Sequence, residues 1–384
     1  MINMASITTK KIKFITKLKN ISELTVGEQN SLSDVTDKFE FRANDYYLSL
    51  IDWSDPNDPI RKLIIPDPCE LDDWGSLDPS GEKNYTIMPG LEHKYHSTAL
   101  LLVSNVCGGI CRYCFRKRVF IHKQEEMLSD PNAAINYLRQ HPEISNVLLT
   151  GGDPLMLSTN KLQNIIEPLL HIDHIKIIRL GTKIPAFNPS RFLDDPKLIE
   201  LMQSVGSAGK QLYAIVHFNH ANELTDPACQ ALRLIKKTGA TPANQTPIIR
   251  GINDNPYDLA ELFNKLSFIG VPPYYVFQCR PALGNKGYVV PIEEAYQIFE
   301  QAKAQCSGLA KRARYVMSHE TGKIEIVGLT QKHVYFKYHR AALDADNGKF
   351  MVFKRNPNAY WLDDYDQPVE QFPLDIYQNT ETLL

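Results

Sequence analysis

The sequence lacks the features that mark several other classes of protein. It has no apolar run of about 18 residues, the length that a membrane-spanning helix requires. Its first residues are basic but hold no apolar core, which is not typical of a secretory signal. Its 42 basic and 44 acidic residues give a net charge of −2, without the positive excess of nucleic-acid-binding surfaces. These absences predict a cytoplasmic protein with a small-molecule substrate and with neither a membrane nor a nucleic-acid partner.

Cysteine is also scarce, with seven among 384 residues. This content does not suit a disulfide scaffold, so we expect reduced thiols. Three of the seven, Cys107, Cys111 and Cys114, lie together in a C-x3-C-x2-C spacing. An iron–sulfur cubane takes four ligands, so three thiolates would leave one iron open to a substrate. A structural zinc site would require a second cysteine pair, which is absent, while redox thiols or a disulfide stay open on spacing alone.

Short apolar runs alternate with amphipathic segments from about residue 97 onward. Six runs predict buried strands: Thr98–Ser104, Asn146–Thr150, Ile175–Leu180, Gln211–His217, Pro247–Arg250 and Tyr274–Gln278. Six other segments predict helices: 130–141, 159–170, 195–206, 225–239, 256–268 and 292–306. This alternation predicts an α/β fold with a parallel sheet. Six units are too few for a closed eight-stranded barrel and favour an open, partial (β/α)6 barrel.

The predicted barrel, residues 93–310, has a different segment on each side. Residues 1–92 are polar and predict an N-terminal extension, with one or two short helices followed by loops across the turn-rich stretch 54–82. Residues 311–384 predict a C-terminal segment, in which 324–339 alternates like a β-hairpin.

Polar residues follow the ends of the predicted strands. They form the cysteine loop and the runs Gly151-Gly152-Asp153, His217-Phe218-Asn219-His220 and Gln278-Cys279-Arg280. Parallel α/β folds build their sites at this carboxyl-terminal edge, so we expect these runs to lie together.

Taken in order, these motifs resemble the lysine 2,3-aminomutase family of radical S-adenosylmethionine (SAM) enzymes. The matching segments are HKYHSTALLLVSNVCGGICRYCFRKR, VLLTGGDPL, IIRLGTKIP, HFNHANELT, ANQTPIIRGIND and YYVFQC. The resemblance implies an isomerase that moves the α-amino group of an amino acid to Cβ. It implies three cofactors, a [4Fe–4S] cluster, SAM and pyridoxal 5′-phosphate (PLP), and an external electron donor of the flavodoxin or ferredoxin type. It leaves the oligomeric state open, with a homo-oligomer among the alternatives.

The resemblance also assigns residues on the iron–sulfur side. Cys107, Cys111 and Cys114 would hold the cluster. The Gly151-Gly152-Asp153 segment would receive the amino group of the SAM methionine, although an isolated Gly-Gly turn has no such meaning. His217 and Gln245 would lie near SAM.

Three further residues would contact PLP. Lys323 is the candidate for its covalent attachment, because PLP forms an imine with a lysine amine. The family's lysine follows a run of glycines, whereas here only Gly322 precedes it, and a surface lysine is the alternative. Lys94 and Tyr95 correspond to an Arg-Tyr pair that contacts PLP.

Two arginines bear on the substrate. Arg116 corresponds to the arginine that binds the substrate α-carboxylate, the alternative being a solvated basic patch of residues 116–118. Arg280 stands where lysine-specific members carry an aspartate for the ε-ammonium. This reversal of charge predicts an acidic substrate such as glutamate rather than free lysine. The alternatives are that Arg280 pairs with an acid such as Glu320, that lysine is still the substrate, or that the enzyme works without PLP.

Overall fold

The computed structural model describes residues 12–121 and 126–374. Its strands are β1 (Phe14–Ile15), β2 (Ala43–Asn44), β3 (Thr86–Met88), β4 (Leu91–Tyr95), β5 (Thr98–Ser104), β6 (Asn146–Gly151), β7 (Ile177–Thr182), β8 (Gln211–Val216), β9 (Thr241–Ile248), β10 (Pro273–Gln278), β11 (Arg314–His319), β12 (Gly322–Leu329), β13 (His333–Ala341), β14 (Phe350–Lys354) and β15 (Glu370–Phe372).

The α-helices of the described residues are α1 (Val26–Ser31), α2 (Ser33–Lys38), α3 (Asp45–Leu48), α4 (Pro59–Ile64), α5 (Lys117–Ile121), α6 (Pro131–Gln140), α7 (Thr159–Leu170), α8 (Ile184–Phe187), α9 (Ser190–Leu193), α10 (Pro196–Ser207), α11 (Asp226–Lys237), α12 (Pro256–Phe268) and α13 (Ile292–Ala304). None of them is long and apolar enough to cross a membrane.

One large sheet organises the fold. It contains β3 to β15, and the order of its strands in space follows their order in the chain. Strands β5 to β11 are parallel, and antiparallel strands continue the sheet at both ends. Parallel neighbours require crossover connections, and the longer helices α6, α7, α10, α11, α12 and α13 lie in them. The predicted α/β class and its six strand–helix units are confirmed.

The sheet curls until its first strands approach its last ones, where side chains rather than strand pairing bridge the gap. Lys94 on β4 donates from Nζ to the carbonyl oxygen of His319 on β11, at 2.6 Å. Arg340 on β13 donates to Ser97 Oγ at 2.7 Å, and its guanidinium lies 4.5 Å from the centroid of the Tyr95 ring. The architecture is therefore a partial barrel, open along one side.

Among the parallel strands, the predictions differ from the structure by more than one residue in three places. The strand predicted at Pro247–Arg250 is wrong in its bounds: β9 begins six residues earlier, at Thr241. Its prolines and polar residues hide it from an apolar search, but pairing with β8 and β10 on both sides holds it extended. Strand β7 lies two residues later than predicted. A seventh parallel strand, β11, was missed, and it lies beyond residue 310.

The N-terminal segment is more ordered than its turn-rich sequence indicates. The two predicted short helices are confirmed as α1 and α2, but the stretch 54–82 is not all loop, because it contains α4. Asp58 caps α4 by accepting from the Arg61 amide at 2.7 Å, and a proline opens its first turn. Ile60 and Ile64 of α4 are fully buried in an apolar cluster that also contains Tyr113 of the cysteine loop. The segment therefore packs against the end of the barrel that carries the loop.

Candidate functional site

The cysteine loop follows β5 and is fixed from the N-terminal side. The Ile110 amide donates to the Arg42 carbonyl at 2.8 Å, and the Arg112 amide donates to the Leu63 carbonyl at 3.0 Å. The Arg112 guanidinium makes two hydrogen bonds to Glu70, at 2.8 and 2.7 Å, and both side chains are essentially inaccessible to solvent. Breaking such a buried pair would leave a charge without its partner, so the pair holds the loop in one conformation.

Cys107, Cys111 and Cys114 are free thiols that lie close to one another. Burial raises the pKa of each thiol, and Cys107 is affected further by the charges of Asp153, Cys114 and Cys111. The pKa of Cys111 is raised to about 12, against the opposing effect of Lys183. Three neighbouring thiols without a disulfide fit a cluster held by three thiolates, since a metal ion deprotonates the thiols that coordinate it.

Gly151 and Gly152 lie against the backbone that leads into the cysteine loop. A Cβ on Gly151, whose φ is +120°, would lie 2.3 Å from the Ser104 carbonyl oxygen, and one on Gly152 would lie 2.7 Å from the Val106 carbonyl oxygen. The Gly152 amide donates to Ser104 and the Asp153 amide donates to Val106. Only glycine permits this approach, so the two segments expected to lie at one edge are in direct contact.

The Asp153 carboxylate is already engaged within the protein. It accepts from the Thr182 hydroxyl at 2.9 Å, the Lys183 amide at 2.7 Å and the Leu155 amide at 3.0 Å. Burial raises its pKa to about 7 despite these bonds. The side chain therefore ties the end of β6 to the end of β7.

His217 contacts the cysteine loop directly. Its Nε2 lies 2.8 Å from the hydroxyl of Tyr113, and the two rings stack. The same hydroxyl donates to Asn219 Oδ1 at 2.7 Å. Burial and the charge of Lys183 lower the pKa of His217 well below its usual range, so the imidazole is neutral. Gln245 lies half-buried on β9, beside Tyr275 of β10. Within the described part of the chain it forms no hydrogen bond with His217 or Tyr113.

Lys183 supports this arrangement and was missed, although it lies in a matching segment. Its Nζ donates to the His217 carbonyl at 3.0 Å and to Asn219 Oδ1 at 2.8 Å, and it pairs with buried Glu223. Glu223 also accepts from the hydroxyl of Tyr47 at 2.6 Å. The signal in the sequence that could have identified Lys183 is its position shortly after the end of a predicted parallel strand.

Lys323 lies on β12 at the opposite side of the site. Its Nζ lies 4.4 and 4.7 Å from the ring centroids of Tyr275 and Phe277, and it forms no ion pair with an acid of the described chain. Burial lowers its pKa well below the usual range, and Arg280, Arg179, Arg340 and Lys94 lower it further. The lowered pKa favours the neutral, nucleophilic form of the amine.

The glycine before Lys323 has a structural reason. Gly322 has a φ of +150°, and a Cβ there would lie 2.5 Å from the carbonyl oxygen of Arg340 on the neighbouring strand. A single glycine is what this close approach requires, so the missing glycine run does not prevent the turn from placing Lys323 in the site.

The charge of Lys94 acts on the pKa of Lys323, and the Tyr95 ring lies 4.5 Å from the guanidinium of Arg340, the neighbour of Lys323 on β13. The ammonium of Lys94 lies 5.0 and 5.8 Å from the ring centroids of Tyr85 and Tyr95. Burial and the charge of Arg280 lower its pKa to about 8. Lys94, Arg179, Arg280 and Arg340 together make the surroundings of Lys323 strongly cationic.

Arg116 is buried and bound to a glutamate that the sequence did not single out. Its Nε and Nη2 donate to Glu82 at 3.1 and 2.9 Å, and its Nη1 donates to Thr150 Oγ1 at 3.3 Å. Arg280 lies near the same carboxylate, with 3.8 Å between its Nη1 and Glu82 Oε1. The guanidinium of Arg280 stacks 3.5 Å from the centroid of the Phe115 ring. The acidic neighbour of Arg280 is therefore Glu82 rather than Glu320.

The alternative of a solvated basic patch is wrong. Lys117 is 5% exposed and lies 3.5 Å from Glu70, and Arg118 is 8% exposed and binds Glu82 and Glu126. Carboxylates from the N-terminal segment reach these cations, which a local view of residues 116–118 could not reveal.

Two further cations near Lys323 were also missed. Arg179 lies between two buried apolar residues of β7, and its Nε donates to Asn146 at 2.8 Å. Arg340 is the neighbour of Lys323 across the β12–β13 hairpin. A charged residue inside an apolar strand was the signal for Arg179, because alternate residues of a strand point to opposite faces.

Comparisons with known proteins agree with this geometry. No protein-family model matches the chain. The chain is 56% identical over 364 residues to a protein of Aquifex aeolicus named "Putative L-lysine 2,3-aminomutase", covering 94% of this chain and 97% of that protein. It is 35% identical to the L-lysine 2,3-aminomutase of Clostridium subterminale, covering 78% and 71% of the two chains. It is 32% identical to the glutamate 2,3-aminomutase of Clostridioides difficile, covering 79% and 71%.

Similarity to solved structures is more distant. A radical SAM methyltransferase from Sphaerobacter thermophilus matches with a TM-score of 0.35 and 15% identity, covering 59% of this chain and 68% of that one. The sequence relatives are far closer and span most of the chain. The protein therefore belongs to the lysine 2,3-aminomutase family, an isomerase family of radical SAM enzymes whose cofactors include a [4Fe–4S] cluster and SAM.

Proposed function

We propose that the enzyme moves the α-amino group of an acidic amino acid, such as glutamate, to Cβ, with PLP attached at Lys323. The observation that carries this proposal is the charge around Lys323. Arg280, Arg179, Arg340 and Lys94 all act on its pKa, yet it forms no ion pair with an acid of the described residues. A site with this excess of cations favours anionic ligands, and a phosphate and carboxylates are the anions that this reaction would bring.

The attachment of PLP at Lys323 is supported by the lowered pKa of its amine, because a lower pKa leaves a larger fraction of the amine neutral. A neutral amine can attack a carbonyl, whereas a protonated one cannot. The rings of Tyr275 and Phe277 enclose Nζ without donating to it or accepting from it, so its lone pair stays available. Lys94, Arg179 and Arg340 would bind the phosphate.

On the opposite side, Cys107, Cys111 and Cys114 would hold the cluster. The backbone of Gly151 and Gly152 and the side chains of His217 and Gln245 would line the SAM site, with Asp153 fixing the Gly-Gly turn. The cluster and SAM would supply a hydrogen-abstracting radical, and PLP would supply an electron sink for migration of the amino group. An electron donor of the flavodoxin or ferredoxin type and a cytoplasmic location belong to the same proposal.

Arg116 and Arg280 would set the substrate's orientation. Their guanidiniums lie 4.8 and 3.5 Å from the centroid of the Phe115 ring, so one aromatic side chain fixes both. Arg116 would bind the α-carboxylate and Arg280 the side-chain carboxylate. A substrate ammonium at Arg280 would meet a like charge instead, which disfavours lysine.

Product analysis tests the proposal. The enzyme, reconstituted anaerobically with iron, sulfide, SAM and PLP and reduced with dithionite, would be incubated separately with glutamate, aspartate, lysine and alanine. We expect β-glutamate as the main product. If no β-amino acid forms from any member of the panel, the proposed reaction is wrong.

L-lysine 2,3-aminomutase is the second candidate, because relatives at 56% and 35% identity carry that name. Faster turnover of lysine than of glutamate in the same panel would favour it. Full activity of a Lys323→Ala variant in protein free of PLP would favour instead a radical SAM enzyme of the family that works without PLP.

A further inference from the structure

Residues 76–85, here called the strap, lie across the carboxyl-terminal end of the barrel. The Ser76 amide donates to the Pro281 carbonyl at 2.9 Å, beyond the end of β10. The Ser80 hydroxyl donates to the Ser318 carbonyl at 2.8 Å, and the Tyr85 hydroxyl donates to the Glu320 carbonyl at 2.9 Å. The strap is therefore bonded to the hairpin that carries Lys323, and it brings its own side chains into the site.

Glu82 is the strap residue that reaches the substrate arginines. One of its carboxylate oxygens accepts from Arg116 at 2.9 Å and lies 3.8 Å from Arg280. The other accepts from Arg116 at 3.1 Å and from Arg118 at 2.5 Å. Burial alone would raise the pKa of Glu82, but the guanidiniums of Arg116 and Arg118 outweigh it and hold the pKa well below the usual range. The carboxylate is therefore charged.

The arginines have more capacity for carboxylates than the protein fills. Arg118 binds Glu126 at 2.8 Å in addition to Glu82, but the contact of Arg280 with an acid of the described residues is the long one to Glu82. Arg280 Nη1 is buried and has no hydrogen-bond acceptor. Glu92 does not supply the missing charge, because burial and Glu82 raise its pKa to about 8. A buried guanidinium nitrogen without an acceptor indicates a place for a ligand's carboxylate.

We propose that Glu82 is a specificity-determining residue, a carboxylate of the protein that holds Arg116 and Arg280 until a substrate carboxylate displaces it. This inference rests on the proposed function, because it takes both arginines to be substrate-binding. When Arg116 turns to a substrate carboxylate, Glu82 keeps its contact with Arg118, so its buried charge retains a cationic partner. The strap thus keeps the arginines ordered and makes an amino acid compete for them, which favours substrates that present carboxylates to both.

The direction in which ligand affinity changes in a Glu82→Gln variant separates this role from a purely structural one. In Glu82→Gln the competing charge is lost and the size of the side chain is kept. We expect L-glutamate, and glutarate as a dicarboxylate that cannot react, to bind roughly tenfold more tightly than to the wild type. A structural glutamate would give weaker binding, because the arginines would lose their order.

Isothermal titration calorimetry of the reconstituted enzyme with each ligand measures this effect. Glu126→Gln is the matched control, because it removes a carboxylate from Arg118 without touching Arg116 or Arg280, and we expect its affinities to stay within about twofold of the wild type. Unchanged or weaker glutarate binding to a folded Glu82→Gln protein would overturn the inference. If that variant does not fold, Glu82→Asp serves, and its shorter reach to Arg116 should also tighten glutarate binding, though less.

The binding test of Glu82 and the product test of the proposed reaction can fail independently of each other. Tighter glutarate binding in an enzyme that yields no β-glutamate would retain the role of Glu82 and reject the reaction. Formation of β-glutamate without any change in glutarate affinity would retain the reaction and reject the role of Glu82.

Discussion

The two sides of the site differ in how completely their polar groups are satisfied. On the cysteine side, which comprises the cysteine loop, Gly151–Asp153 and His217, polar side chains bond to one another and to the backbone: Asp153 accepts from three residues and Tyr113 joins His217 to Asn219. On the cation side, which comprises Lys94, Arg179, Arg280, Lys323 and Arg340, the charged groups lie against aromatic rings or donate to neutral oxygens. Among the described residues, their contact with an acid is the 3.8 Å one between Arg280 and Glu82, and Arg280 Nη1 has no hydrogen-bond acceptor.

This difference indicates different tasks. A satisfied network holds a geometry and leaves little to exchange with a ligand, which suits a cluster that must stay in place. Cations collected without counter-charges raise the free energy of the empty site, and an anionic ligand relieves that repulsion. The cysteine side is therefore built to stay unchanged, and the cation side to be completed by what binds.

The largest effect should come from removing a thiol on the cysteine side. We expect Cys111→Ser to lose most of its bound iron after anaerobic reconstitution and to lose activity by roughly 10³-fold or more. Cys229→Ser is the matched control, because Cys229 is a free thiol on α11. Equal iron content in the two variants would show that Cys111 is not a ligand.

On the cation side, Lys323→Ala should leave the iron content unchanged and abolish covalent attachment of PLP. The absorption of the bound cofactor, together with borohydride trapping, measures the attachment. We expect aminomutase activity to fall by roughly 10³-fold or more. Lys349→Ala is the control, because Lys349 directly precedes β14 and pairs with Asp346 rather than with a residue of the site. If PLP is still attached covalently in Lys323→Ala, another lysine holds it.

A smaller effect should follow from loosening the network of the cysteine side. Tyr113→Phe removes the hydroxyl that contacts Asn219 and His217 in a buried setting. We expect the free energy of unfolding to fall by about 1–2 kcal/mol in urea denaturation. No loss of stability would contradict the view that this side is held by its internal hydrogen bonds.

The last of these effects is a change in how stability depends on pH. The pKa of Lys94 is lowered from 10.5 to about 8 in the folded protein, so the unfolded chain binds more protons between these values. The contribution of Lys94 to the free energy of unfolding therefore rises with pH from about 8 to 10.5. Lys94→Met should show a shallower rise than the wild type in urea unfolding without PLP. Equal slopes would mean that the cation side does not lower this pKa.

The sequence predicted the cysteine side better than the cation side, for a physical reason. Motifs such as Cys107–Cys114 and Gly151–Asp153 are local, and the parallel strands that bring them together have apolar runs that can be recognised. The cation side depends on contacts between distant segments. Arg340 reaches Ser97 across the opening of the barrel, and Glu82 reaches Arg116 from a polar stretch without periodicity.

The same limit explains the errors in the fold. Strand β9 is held by its neighbours rather than by its own composition, and α4 is stabilised by burial of Ile60 and Ile64 against residues far along the chain. Six helices were predicted to within two residues because their amphipathic pattern is local, as are the side-chain caps of five of them.

We infer that Arg280 and its neighbouring cations select an acidic amino acid. The most direct measurement is the ratio of kcat/KM for glutamate to that for lysine, with both substrates competing in one mixture, in the wild type and in Arg280→Asp. We expect a ratio above one for the wild type and a fall of roughly 10²-fold in the variant. A ratio below one in the wild type, or one that Arg280→Asp leaves unchanged, would contradict it.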